Sequence, residues 1–94
     1  IDAGVDVGLS RDVATELVVH TMAGSAAMLL DRRDNTPAGA MDTSAAALRA
    51  VVTSPGGTTA AGLRELERGG LRSAVSDAIA AAKTRSEQLG ITSE

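Results

Sequence analysis

Apolar positions recur along this chain at the three- and four-residue spacing of helices. The spacing predicts a short helical segment over Ile1–Val7, closed by Gly8. A long helix is predicted from Arg11 to about Arg32, with Ser10 as its N-cap. Its apolar face comprises Ala14, Leu17, Val18, Thr21, Ser25, Met28 and Leu29.

The second part of this long helix has no polar side. Asp12, Glu16 and His20 form a polar stripe, but no charged residue lies in Thr21–Leu30. A helix that is apolar around its circumference must be covered around its circumference, and we expect a second copy of the chain to cover it. A membrane span is the competing interpretation, but it requires roughly 20 apolar residues and this run is shorter. We therefore expect no membrane partner.

Three further helices are predicted in the rest of the chain. They are 45–52, capped by Thr43 or Ser44 after a surface connection over Asp31–Asp42, then Thr58 to about Arg68, and finally Leu71–Leu89. Gly69-Gly70 and Gly90 are the predicted helix stops, and Leu63 and Leu66 are expected to face inward. No segment alternates as a strand would, so the predicted fold class is all-α, a helical bundle.

Composition narrows the possible functions. The 94 residues suffice for one domain, and with a net charge of −3 and no aromatic residue they offer no basic or stacking surface for nucleic acid. No cysteine and a single histidine exclude thiolate and multi-histidine metal sites. Because alanine supplies much of the apolar content and buries little area, stability should depend on self-association. We expect a cytoplasmic location.

The turn "SPGGTT" interrupts the helical pattern and is the candidate site. Pro55 ends the preceding helix, and the helix beginning near Thr58 leaves its first amides without intrahelical partners. Gly56 and Gly57 would let a ligand approach those amides, and Ser54 and Thr59 add hydroxyl groups. The positive end of the helix dipole makes the turn suitable for a carboxylate or phosphate.

The turn chemistry alone leaves a structural alternative open. Gly-Gly-Thr is also typical of a tight connection between helices with a threonine cap. The motif is not a Walker A loop, because no lysine follows the glycines. It is not a Rossmann fingerprint either, because no strand precedes it.

Two long stretches of the chain resemble the pyrroline-5-carboxylate reductase family. The first is "SPGGTTAAGLRELERGGLRSAVSDAIAAAKTRSEQLG", and the second is the earlier "VGLSRDVATELVVHTMAGSAAML". The resemblance covers almost the whole chain, and the Ser-Pro-Gly-Gly-Thr-Thr motif is highly specific. Two features depart from the family: the connection "RRDNTPAGAMDTSAAAL" is longer than usual, and His20 stands where many members carry glutamine.

The resemblance implies that residues 1–94 are the C-terminal dimerisation and substrate-binding domain of a reductase. The dinucleotide-binding domain, which holds NADPH or NADH, would be absent from this chain, so the chain alone would be inactive. The domain would interlock with its twin into a homodimer, and in some members dimers form a decamer. Such an enzyme reduces 1-pyrroline-5-carboxylate to L-proline in proline biosynthesis.

The resemblance also assigns roles within the turn. The substrate carboxylate would be bound by Ser54, Gly56, Gly57, Thr58 and Thr59, with Thr59 as the catalytic residue beside the ring nitrogen. Two other functions remain possible: a helical dimerisation module without a ligand site, and the helical domain of a related Rossmann-type dehydrogenase. The second usually carries a catalytic lysine in a long helix, and Lys83 is the only lysine here.

Overall fold

The computed structural model describes residues 1–92, which form five helices and no strand. These are α1 (Asp2–Asp6), α2 (Arg11–Asp34), α3 (Ser44–Val52), α4 (Thr58–Arg68) and α5 (Leu71–Thr92). The predicted all-α class is confirmed. The chain divides into two compact units, one over Ile1–Val52 with α1 to α3, and one from Thr53 onward with α4 and α5.

Helices α1 and α2 pack closely where Gly4 meets Ala14. The Ser10 side chain accepts a hydrogen bond from the Val13 amide at 3.3 Å, so Ser10 is the N-cap that the sequence predicts. A Cβ added at Gly4 would lie 3.2 Å from the Ala14 Cβ, which shows how near the two helices approach. Ala14 is accordingly buried. An ion pair between Arg11 and Asp2, 2.9 Å long, joins the same two helices at the surface.

Helix α2 continues beyond its predicted end. The prediction that the connection begins at Asp31 is wrong, because the helix runs to Asp34. Two side chains just after it satisfy its terminal carbonyl groups: Asn35 Nδ2 donates to the Asp31 oxygen at 2.8 Å, and Thr36 Oγ1 donates to the Arg32 oxygen at 3.0 Å. Basic residues in the last turn also interact favourably with the helix dipole.

Asp42 fixes the start of α3. Ser44 was one of two predicted caps but is the first helical residue, whereas the Thr43 carbonyl accepts from the Ala47 amide as an N-cap carbonyl does. Asp42 Oδ1 accepts a hydrogen bond from the Ser44 amide at 3.0 Å, and Asp42 Oδ2 pairs with Arg33 Nε at 3.1 Å. The Ser44 hydroxyl and amide, with a smaller contribution from Arg33, hold the pKa of Asp42 below its ordinary value.

In the second unit, α4 and α5 follow each other with only Gly69-Gly70 between them. Gly69 is the C-cap of α4, and its amide donates to the Glu65 carbonyl at 2.9 Å, as predicted for this stop. Arg72 Nε pairs with Glu67 Oε1 at 2.6 Å across the junction. The prediction that Gly90 ends α5 is wrong, because the helix passes through it to Thr92. Gly90 does not adopt the left-handed conformation that terminates helices at glycine.

Little of the apolar surface is buried by a single chain. Among the described residues only Ala14, at 1 % exposure, and Ser44, at 6 %, count as buried. Leu63 is half-buried, but Leu66 is 48 % exposed, so the expectation that both face inward is met only for Leu63. Small globular domains need a hydrophobic core for stability, and this chain does not form one from its own residues.

The exposed apolar side chains of α2 lie on opposite faces of that helix. Leu17 is 54 % and Val19 is 55 % exposed, and about three helical turns further Met28 is 50 % and Leu30 is 58 % exposed. Residues two positions apart on a helix differ by about 200° in direction. A packing partner on one side of α2 therefore cannot contact both members of such a pair. Apolar surface is therefore exposed on opposite faces of α2 in the single chain.

By length and composition, α2 is also long and apolar enough to cross a membrane. The charge-free run Thr21–Leu30 is only part of α2, whose two ends carry charged residues such as Asp12, Glu16 and Arg32. A helix of this composition is also expected where a second subunit packs against its apolar faces. A subunit interface and a lipid bilayer both remove the apolar side chains from water.

Candidate functional site

The turn between α3 and α4 has the geometry that its sequence dictates. The Gly57 amide donates a hydrogen bond to the Ser54 carbonyl at 3.1 Å, which closes a four-residue turn. Pro55 occupies the second position, where its fixed φ is favourable, and Gly56 at the third position has φ of +68°. This is a type II turn, and its third position needs a glycine because L side chains rarely adopt a positive φ there.

Helix α4 starts directly from this turn without a side-chain cap. Gly57 is the N-cap residue, with φ of −80° and ψ of 176°, and no side chain accepts a hydrogen bond at this end. The amides of the first turn, which begins with Thr58 and Thr59, therefore lack intrahelical partners. No acidic residue lies in this first turn, so the positive end of the helix dipole is not neutralised by the helix itself.

Three hydroxyl groups border these amides. Ser54, Thr58 and Thr59 are exposed to solvent. Within residues 1–92 none of the three hydroxyls has a hydrogen-bond partner from the protein. Amide and hydroxyl donors in this arrangement can bind an anion, for which a carboxylate has the right charge and size.

Ser54 and Gly57 are in closer contact than their sequence separation suggests. A Cβ added at Gly57 would lie 2.5 Å from Ser54 Oγ and 3.3 Å from the Ser54 carbonyl oxygen. The hydroxyl of Ser54 thus stands at the N-cap of α4. Sequence reasoning identified both residues but did not predict this contact, since it depends on how the turn folds back on itself.

All five predicted site residues therefore lie in one turn and the first helical turn after it. Ser54, Gly56 and Gly57 shape the turn, whereas Thr58 and Thr59 begin the helix. The contacts of each with a substrate remain predictions.

Other polar residues singled out by the sequence lie in exposed ion pairs. His20 Nε2 is 4.0 Å from Glu16 Oε1 on α2, and Lys83 Nζ is 3.1 Å from Glu87 Oε1 on α5. Both pairs have the i, i+4 spacing of solvent-exposed helix surfaces. Among the described residues no group of histidines and carboxylates is arranged to hold a metal ion.

The first unit contains a shallow apolar groove between α2 and α3. Its volume is about 220 Å³, and it is lined by Ser25, Met28, Leu48, Arg49 and Val52. The groove is open to solvent and presents mainly aliphatic surface. It is suited to apolar side chains of another polypeptide rather than to a small polar substrate.

Comparison with known proteins agrees with the resemblance found in the sequence. Residues 1–89 match the family described as "Pyrroline-5-carboxylate reductase dimerisation". The chain is 66 % identical over 102 aligned residues to a pyrroline-5-carboxylate reductase of Mycobacterium leprae, and 63 % identical to one of Mycobacterium tuberculosis. Both alignments cover 100 % of this chain and 35 % of the relative.

More distant organisms provide similar relatives. A pyrroline-5-carboxylate reductase of Pisum sativum is 43 % identical over 88 residues, which cover 94 % of this chain and 29 % of the relative. The chain thus spans about a third of the length of the curated relatives that it matches most fully.

Proposed function

Because this chain belongs to the pyrroline-5-carboxylate reductase dimerisation family, we propose that it pairs two subunits of such a reductase and binds the substrate carboxylate. The reaction is the reduction of 1-pyrroline-5-carboxylate to L-proline. The observation that carries the proposal is the uncapped start of α4 beside the Ser54–Gly57 turn, in a motif specific to this family. Residues 1–94 are then the C-terminal domain of the enzyme.

The carboxylate is bound by the turn and the first amides of α4. The Gly57, Thr58 and Thr59 amides donate hydrogen bonds to its oxygens, and the Ser54 hydroxyl donates another. Gly56 keeps the approach to these amides open. Hydrogen bonds to a charged group each contribute about 1.5–3 kcal/mol, so a few of them suffice to hold a small substrate in one orientation.

Thr59 acts on the ring nitrogen of the bound imine. Reduction adds a hydride to the imine carbon, which is C2 of 1-pyrroline-5-carboxylate and becomes C5 of L-proline, and it adds a proton to the nitrogen. The nitrogen becomes more basic as the hydride arrives. A threonine hydroxyl is too weak an acid to supply the proton unaided. We assign to Thr59 a hydrogen bond that orients the ring and relays a proton from water to the nitrogen. Fixing the ring in this way is an effective-concentration effect.

The dinucleotide belongs to a part of the enzyme outside this chain. Residues 1–92 contain no strand, so they offer no strand-to-helix glycine turn of the kind that binds a pyrophosphate. When bound, NADPH or NADH supplies the hydride. We further propose a cytoplasmic enzyme.

Self-association is the second part of the proposal. The exposed aliphatic side chains on opposite faces of α2 support an interlocked homodimer, in which a second copy covers both faces. Assembly of such dimers into a decamer is compatible with the same domain.

A direct test uses the full-length reductase. It should oxidise NADPH or NADH only when 1-pyrroline-5-carboxylate is present, and Ser54→Ala should raise KM for the imine by about ten- to a hundredfold. Lys83→Ala serves as the matched control, because its side chain pairs only with Glu87 on the surface of α5. A dehydrogenase of the lysine type would lose activity with Lys83→Ala instead. A dimerisation module without a ligand site would lose it with neither variant.

A further inference from the structure

Glycine at position 57 is not explained by its backbone. Its φ of −80° and ψ of 176° are extended values that any L residue adopts. The N-cap position that it occupies favours serine, aspartate or asparagine, whose side chains would satisfy one of the free amides, and it accepts glycine about as well as threonine. Gly56 differs, because its φ of +68° requires a glycine. A reason for glycine at residue 57 beyond its backbone lies in the neighbouring side chains.

The structure contains such a reason in the side chain of Ser54. A Cβ at Gly57 would lie 2.5 Å from Ser54 Oγ, so the Ser54 hydroxyl, as the end of a rotatable side chain, would have to turn away from its position. The other neighbours are less restrictive, at 3.3 Å for the Ser54 carbonyl oxygen and 3.7 Å for the Ser54 Cβ. The type II turn brings about this contact, because it places its first and fourth residues side by side.

We propose that Gly57 is a positioning residue for Ser54: by lacking a side chain, it leaves room for the Ser54 hydroxyl at the uncapped start of α4. The hydroxyl occupies the region where a capping side chain would stand, because its Oγ lies 2.5 Å from the position of a Cβ at residue 57. The inference rests on the proposed function, in which this hydroxyl donates to the substrate carboxylate. Residues 54 and 57 then form one coupled unit.

The coupling between the effects of Ser54→Ala and Gly57→Ala on KM distinguishes displacement of the Ser54 hydroxyl from direct obstruction of the α4 amides. If Gly57→Ala acts by displacing the Ser54 hydroxyl, it should have little further effect once the hydroxyl has been removed by Ser54→Ala. If the added methyl group instead blocks the α4 amides, its effect on KM should be the same in both backgrounds.

The test is a double-mutant cycle in the full-length reductase with Ser54→Ala, Gly57→Ala and the double variant. Both KM for 1-pyrroline-5-carboxylate and Tm are measured for each protein. We expect each single variant to raise KM by about ten- to a hundredfold, and the double variant to lie within about threefold of the weaker-binding single variant. Gly57→Ala should lower Tm less in the Ser54→Ala background, because the 2.5 Å contact is then absent.

Gly90→Ala is the control, because a Cβ at Gly90 meets no atom within 4 Å and should show no coupling to Ser54→Ala. Equal effects of Gly57→Ala on Tm in both backgrounds, or effects on KM that multiply, would overturn the inference. If Ser54→Ala leaves KM unchanged, the carboxylate role of Ser54 fails. The Tm cycle still decides in that case whether Gly57 makes room for the hydroxyl.

Discussion

Gly24 offers a test of the dimer in which the single chain and the assembly predict effects of opposite sign. It lies in the charge-free part of α2, and a Cβ added there meets no atom of its own chain within 4 Å. In an isolated helix, replacing an interior glycine by alanine stabilises by about 0.5–1 kcal/mol, because glycine loses more backbone entropy. Within one chain alone, Gly24→Ala should therefore raise stability.

A closely packed partner reverses this expectation. Gly24 lies four residues before Met28 and seven after Leu17, so all three share a face whose aliphatic side chains are half-exposed in the single chain. Inserting methyl or larger groups into a packed interface costs about 1–3 kcal/mol. We therefore expect Gly24→Ala to weaken dimerisation instead of stabilising the protein as Gly62→Ala does. The larger Gly24→Leu change should weaken dimerisation by about five- to a hundredfold, since about 1.4 kcal/mol corresponds to a factor of ten.

Sedimentation velocity over a concentration series of the full-length protein measures this change. Gly62→Ala is the matched control, because Gly62 also lies inside a helix with no atom within 4 Å of its added Cβ, but beside the charged residues of α4. The reasoning would be refuted if Gly24→Leu left the dissociation constant unchanged and raised Tm as Gly62→Ala does.

Three further predictions concern activity and local stability. The 94-residue chain alone should not oxidise NADPH or NADH in the presence of 1-pyrroline-5-carboxylate in a spectrophotometric assay, and measurable turnover would contradict the assignment of the dinucleotide to another domain. Asp42→Ala should lower Tm more than Asp42→Asn at neutral pH, because asparagine can still accept from the Ser44 amide. Because folding lowers the pKa of Asp42, its stabilising effect is present above the ordinary value of 3.8 and is lost as the pH falls through the lowered value. The Tm difference between the unchanged protein and Asp42→Asn should therefore shrink from neutral pH to about pH 3, and a difference that stays constant would contradict this. Ser10→Ala should destabilise the protein by about 1 kcal/mol in chemical denaturation, through loss of the α2 cap, and Ser10→Thr should retain most of that stability.

Local signals in the sequence predicted the start of α2 and the end of α3. Ser10 caps α2 as expected, and α3 ends before Pro55 because the residue preceding proline disfavours the helical conformation. These features depend on neighbouring residues alone. The Ser54–Thr59 turn was identified for the same reason, since proline and paired glycines restrict the backbone within a few residues.

Helix ends were less predictable where side chains compete to satisfy the terminal carbonyls. Asn35 and Thr36 extend α2 past its predicted end, and Gly90 remains helical because nothing requires it to adopt a positive φ. The sequence did not predict that Asp42 fixes the start of α3. Its second partner, Arg33, lies on the preceding helix and is brought close only by the fold. The contact between Ser54 Oγ and the N-cap of α4 likewise follows from the folded turn and not from residue types.

Apolar side chains of α2 that the sequence assigns to one face remain exposed in the single chain. The apolar residues of α2 were predicted to form one face of the helix, and two of them, Leu17 and Met28, remain half-exposed in the single chain. Their spacing identifies surface that must be covered, whereas it does not say which molecule covers it. Membership of a dimerisation family gives the expectation of a second copy.

The most direct measurement of the proposed chemistry compares Thr59→Ala with Thr59→Ser in the full-length reductase. Thr59 is exposed in the first turn of α4, so neither change should unfold the helix, and circular dichroism should be nearly unchanged. We predict that Thr59→Ala lowers kcat/KM for 1-pyrroline-5-carboxylate by about ten- to a thousandfold, whereas Thr59→Ser retains most activity because the hydroxyl is kept. Equal kinetics for the two variants would contradict a role of the Thr59 hydroxyl in the reaction.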